Sequence, residues 1–118
     1  MSKKRILVVD DDYSIIDLLK DALPTFGFEA DFTTKGGRAI ELLEEQHYDL
    51  ILSDIRMPEI NGIEVATAAI KTSPQVPILF MSGNPNVKVE ERSFLSKPFT
   101  LSQLETKLNL MLNKTDDD

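Results

Sequence analysis

Cysteine is absent from this 118-residue chain, which excludes a disulfide scaffold, a thiolate metal site and a thiol nucleophile. The cytoplasm suits such a chain and is the expected location. Histidine is nearly absent as well. His47 stands alone and continues the helical row of Ile40 and Leu43, where a last-turn imidazole interacts with the terminal carbonyls rather than with a metal. There is no long hydrophobic run: after Met1-Ser2-Lys3-Lys4-Arg5 the apolar stretch is only Ile6 to Val9, too short for a signal peptide or a membrane span. Positive charge is in deficit, with 13 Lys and Arg against 20 Asp and Glu and a formal net charge of −7. Phosphate backbones need clustered basic residues, so neither nucleic acid nor membrane is an expected partner, and a protein or a cation suits better. Repeats and low-complexity linkers are missing too. Length and a hydrophobic fraction of 42% suit one domain over 1–118, with the acidic tail 114–118 expected to fray.

What is present is a series of short aliphatic runs, each stopping at polar residues. Ile6-Leu7-Val8-Val9 ends at Asp10-Asp11-Asp12, Leu50-Ile51-Leu52-Ser53 at Asp54, and Val76 to Met81 at Ser82. Ser93-Phe94-Leu95-Ser96 is a brief fourth run of this kind, followed by Lys97-Pro98. Runs this apolar and this short read as strands covered on both faces. Phe28 to Thr33 alternates instead, as a half-exposed edge strand does. Helical spacing lies between them, with inward faces expected at Ile15, Leu18, Leu19 and Ala22, then Ala39, Ile40 and Leu43, then Ile63, Ala66 and Ile70, and finally Leu101, Leu104, Leu108 and Met111. Gly36-Gly37 and Asn61-Gly62 are expected turns, the second able to use positive φ. Alternating strands and helices define an α/β chain with a doubly wound parallel sheet of about five strands.

In such a sheet the carboxyl ends of the strands share one edge, where ligands bind. That edge is expected to collect Asp10, Asp11, Asp12, Asp54, Ser82 and Lys97. Crowded carboxylates repel one another unless a cation sits among them, and an all-oxygen donor set favours Mg²⁺. A lysine and a hydroxyl opposite them suit a phosphoryl group, whose charge both metal and ammonium would neutralise. Asp12 reads either as a ligand or as the N-cap of the first helix, with the cap preferred.

Taken together and in order, Ile6-Leu7-Val8-Val9-Asp10-Asp11, Asp54-Ile55-Arg56-Met57-Pro58, Asn61-Gly62, Met81-Ser82-Gly83 and Phe94-Leu95-Ser96-Lys97-Pro98-Phe99 resemble the receiver domain of two-component response regulators, over nearly the whole chain and close to the single-domain type. The resemblance implies a flavodoxin-like receiver fold with strand order 2-1-3-4-5. It implies a phosphoprotein of signal transduction in which Asp54 accepts a phosphoryl group from a phosphohistidine of a sensor histidine kinase or a histidine phosphotransfer protein. Mg²⁺ would be held by Asp10, Asp11, Asp54 and the backbone carbonyl of Arg56. Lys97 would be the phosphate partner, Ser82 the switch hydroxyl, Phe94 the switch aromatic, and Lys97-Pro98 a cis bond. The output would be a changed surface for a downstream protein, so the chain is expected to be a signalling domain rather than an enzyme, limited to its own phosphotransfer and autodephosphorylation. Phe94 can also be read as ordinary core.

Two other readings are weaker. Asp10 and Asp12 spell the Asp-x-Asp of aspartyl-phosphate hydrolases, but Ser14 stands where that family wants Thr or Val, and the chain is short for a cap. A binding module of the same fold that is never phosphorylated has no need of Lys97, Ser82 and the acidic pair. Gly83 to Ser93 is short for a full crossover, so the fourth helix, between the fourth and fifth strands, is expected to be short or absent, at most 86–92.

Overall fold

The aliphatic runs at 6–9, 50–53 and 79–81 form strands because each is buried on both sides by helices that the intervening segments supply. In chain order the elements are β1 (Arg5–Val9), α1 (Tyr13–Thr25), β2 (Glu29–Thr33), α2 (Gly36–Glu45), β3 (Leu50–Asp54), α3 (Gly62–Thr72), β4 (Ile78–Ser82), β5 (Phe94–Ser96) and α4 (Leu101–Asn113). The structure, a computed structural model, describes residues 3–84, 86, 89–90 and 93–113. All strand pairs are parallel, and the five-stranded sheet has the order β2-β1-β3-β4-β5, as the resemblance implied. Register pairs Val9 with both Thr33 and Ser53, Asp54 with Met81, and Ser82 with Ser96, which brings the carboxyl ends to one edge.

Strand alternation sends Ile6, Val8, Leu50, Leu52, Leu79 and Met81 to one face, where α1 and α4 cover them with Ile16, Leu19, Leu23, Leu104 and Leu108. Leu7, Val9 and Ile51 go to the other face, under Ala39 and Leu43 of α2 and Val65 and Ala69 of α3. Two of the expected helix faces are rotated. α1 buries Ile16 and Leu23 while Leu18 is 39% exposed, and α3 buries Val65 and Ala69 while Ile63 and Ile70 are 44% and 55% exposed. In each helix two apolar stripes overlap; in α3 the sheet takes the one with the smaller residues, Val65, Ala66 and Ala69, whereas in α1 it takes Ile16, Leu19, Ala22 and Leu23.

Several boundaries also shift. Asp54 is the last residue of β3 rather than the first of a loop. α1 runs through Pro24 to Thr25, and Gly27 follows at φ +94. α2 ends at Glu45, so His47 is no helix-end residue; its Nε2 lies 3.3 Å from Asp49 on the surface. Gly36 and Gly37 are the first residues of α2 and not a turn. Thr100 and Gln103 close the start of α4 reciprocally, at 2.8 and 3.1 Å. Among the described residues no α-helix lies between β4 and β5; of the expected helical segment, Val87, Lys88, Glu91 and Arg92 lie outside them.

Leu52 and Leu79 are fully buried at the centre of the sheet, whereas Leu110 on α4 is 65% exposed. Truncating either central leucine to alanine is predicted to cost about 2–5 kcal/mol, and Leu110→Ala no more than about 0.5 kcal/mol. Urea denaturation measures both; similar losses at all three positions would contradict the layering.

Candidate functional site

Each acidic residue of the site is placed by the element it ends or begins. Asp10 follows β1 directly, is fully buried, and is held by its own N–H on the Thr33 carbonyl at 3.2 Å. Its Oδ1 accepts the N–H of Asp12 at 2.9 Å. Asp12 is the N-cap of α1: its Oδ1 accepts from the Ser14 N–H at 2.9 Å and from the Ser14 hydroxyl at 2.6 Å. Those hydrogen bonds lower its pKa, and they leave it out of the cluster. Asp10, Asp11 and Asp54 each offer a carboxylate oxygen, and the three oxygens lie within 4.8 Å of one another. Asp11 is exposed and the other two are buried, so the cluster opens to solvent on one side.

Lys97 supplies the cation. β5 delivers it to the edge, its backbone N–H donating to the Ser82 carbonyl at 2.9 Å, and the Lys97-Pro98 bond is cis, as the resemblance implied. Its Nζ lies 2.7 Å from Asp10 Oδ2 and 3.4 Å from Asp54 Oδ2. Burial works against this ammonium, but hydrogen bonding and attraction to Asp10 and Asp54 outweigh it, and the pKa of Lys97 rises. Asp54 is the strained partner. Burial, then the adjacent Asp10 charge, push its carboxyl above the usual range, against the pull of Lys97 and of the Arg56 backbone N–H. With all three carboxylates ionised against one ammonium, two negative charges remain at the edge. A hard cation with oxygen ligands fits that remainder in charge and donor type.

The remaining expected residues stand around this centre. Ser82 ends β4, is 3% exposed, and its hydroxyl accepts the Asn84 N–H at 3.0 Å. Phe94 is half-buried on β5, registered with Phe80. Arg56 is exposed in the β3–α3 loop and touches Asp54 through its backbone. That loop holds what the sequence reading missed. Positive φ occurs at Glu59, at 67°, and not at Gly62. Asn61 is the N-cap of α3 in a reciprocal pair with Glu64, at 2.9 and 3.0 Å, so it opens a helix rather than a turn. Gly62 is required for space: a Cβ there would collide with the carbonyl of Asp54. The Asn61-x-x-Glu64 spacing was the available signal. A cleft of about 440 Å³ between Lys4, His47, Pro77 and Leu112 lies at the opposite edge, where the strands begin, and carries no such cluster.

A doubly wound sheet with buried carboxylates and a lysine at its carboxyl edge defines a class, and the comparisons name it. The family model of the response regulator receiver domain matches residues 6–109, and the chain belongs to that family. It is 36% identical over 116 residues to the response regulator receiver protein CpdR of Brucella abortus, covering 92% of this chain and 97% of that protein. It is 29% identical to the response regulator MprA of a Mycobacterium species, covering 97% of this chain but only 53% of that longer protein. Among solved structures, a CheY-like receiver domain from Methanospirillum hungatei superposes with a TM-score of 0.86 at 26% identity, over 98% of both chains. Among the described residues no helix is long and apolar enough to cross a membrane.

Because the native pKa of Asp54 lies above its unfolded value, its ionisation removes stability as pH rises through that interval. In chelator at neutral pH, Asp54→Asn is therefore predicted to be more stable than wild type. Lys97→Ala is predicted to be less stable by about 3 kcal/mol, since it leaves buried Asp10 unpaired. Denaturation of both variants checks the pair of signs, and a destabilised Asp54→Asn would contradict the repulsion.

Proposed function

We propose that the chain is a response regulator receiver domain that accepts a phosphoryl group on Asp54 from a phosphohistidine of a partner kinase or phosphotransfer protein. The observation that carries this reading is the convergence of buried Asp54 with Asp10, Asp11 and Lys97 at the carboxyl edge of a receiver-family sheet. In the transfer, an Asp54 carboxylate oxygen bonds to phosphorus as the bond from phosphorus to the histidine nitrogen breaks, and the imidazole leaves with its electron pair. Asp10, Asp11, Asp54 and the Arg56 carbonyl would hold Mg²⁺, which supplies charge neutralisation for the phosphoryl oxygens.

The chain's own residues do the rest. Lys97 already reaches Asp54 and Asp10, so its ammonium is poised to shift from carboxylate to phosphoryl oxygen. The Ser82 hydroxyl can donate to the same group by rotating, because in the present arrangement it acts as an acceptor for Asn84. A Ser82 so engaged would draw on the segment after β4 and on Phe94 one strand away, altering the surface presented to a downstream protein. Hydrolysis of the acyl phosphate at the same site returns the chain to its starting state, which makes it a timed switch.

Incubation with Mg²⁺ and acetyl phosphate is predicted to add the mass of one phosphoryl group to the intact chain. Asp54→Asn is predicted to abolish the addition, and Asp11→Asn to weaken Mg²⁺ affinity and phosphorylation together. Full modification of Asp54→Asn would overturn the assignment.

A further inference from the structure

Gly36 opens α2, outside the acidic cluster, yet the β3–α3 loop rests on it. Gly36 is buried, and a Cβ built there would sit 2.5 Å from the Ile60 carbonyl oxygen, 2.9 Å from Ile60 Cγ2 and 3.0 Å from Ile60 Cβ. Its φ is not in the left-handed region, where among the glycines only Gly27 falls, so glycine is present here for space and not for backbone freedom. Glycine is otherwise a poor helix residue relative to alanine. The neighbouring Gly37 makes no such demand: a Cβ there would meet only Ile60 Cδ1, at an ordinary 3.8 Å.

What rests on Gly36 is a loop with little slack. Its first turn is tied to the site, since Arg56 donates its backbone N–H to Asp54. Its middle is tight, with Ile60 N–H on the Pro58 carbonyl at 2.8 Å and Glu59 held at positive φ. Its end is closed by Gly62 N–H on the Ile55 carbonyl at 2.9 Å and by the Asn61 and Glu64 caps. The Ile60 side chain packs into the core between sheet, α2 and α3. A displacement of the Ile60 backbone therefore has few torsions to absorb it before it reaches Arg56.

We propose that Gly36 is a positioning residue for the cation site: by admitting the Ile60 carbonyl against α2 with no side chain between, it sets the loop that presents Arg56 beside Asp54. This inference rests on the reading of Asp10, Asp11, Asp54 and the Arg56 carbonyl as a Mg²⁺ site, and it adds a residue from a different element that determines the site's geometry.

The test is Mg²⁺ titration of the full chain by calorimetry, with thermal unfolding recorded in parallel. Gly36→Ala is expected to weaken Mg²⁺ affinity about tenfold or more, the range seen when supports of metal ligands are changed, while Gly37→Ala binds as wild type does. Lowered thermal stability of Gly36→Ala with unmoved Mg²⁺ affinity would make Gly36 a packing residue only and overturn the proposal. Should Gly36→Ala not fold, Ile60→Ala decides, because it loosens the same loop by removing its anchor: weakened Mg²⁺ binding is expected, and wild-type affinity would overturn the proposal. A wild-type chain that binds no Mg²⁺ at all would instead overturn the cation-site reading itself, so the two failures are distinguishable.

Discussion

The contact between Lys97 and Asp10, 2.7 Å long and joining residues 87 apart in sequence, is the constraint on which the rest of the site depends. Asp10 is fully buried, and a carboxylate in that position is tolerable only when both oxygens are satisfied. One is met by the Asp12 N–H, which the first turn of α1 delivers, and the other by an ammonium that only β5 can bring. The sheet order therefore matters chemically. With β1 and β3 adjacent and β4 and β5 stacked beside them, the far end of the chain returns to a carboxylate laid down near its beginning.

That arrangement is stable but not neutral. Lys97 is shared between Asp10 and Asp54, closer to the first, and burial, then the adjacent Asp10 charge, push the Asp54 carboxyl up against its pull. A site left two charges negative attracts a cation, which under the proposed function would ready the neighbourhood for a phosphoryl group. The domain thus carries a local cost that binding relieves, which is the condition for a ligand to shift a conformational equilibrium.

How much of this could be read from the residues follows from which signals are local. The unbroken aliphatic runs located all the buried strands, because a segment such as Leu50-Ile51-Leu52 admits no amphipathic alternative. Asp10, Asp11, Asp54, Ser82 and Lys97 were placed at one edge by the same reasoning, and Asp12 fell to its capping role. The helix faces were harder. In α1 the stripe with Leu18 and the stripe with Leu23 are equally periodic, and in α3 Ile63 and Ile70 look more apolar than Ala69, yet the sheet buries Ala69 and leaves both isoleucines exposed. Small residues let a helix lie close to the strands, and nothing local to α3 announces that. The β3–α3 loop was hardest, because the space demanded at Gly36 and Gly62 comes from Ile60 and Asp54, distant or oblique in sequence.

The central claim is that Asp54, and no other carboxylate of the cluster, receives the phosphoryl group. Reduction with borohydride after treatment with Mg²⁺ and acetyl phosphate converts an acyl phosphate to the corresponding alcohol and marks its position permanently, so peptide mass spectrometry reads the site directly. Conversion confined to Asp54 is the predicted result, and conversion at Asp10 or Asp11 with Asp54 intact would contradict the account.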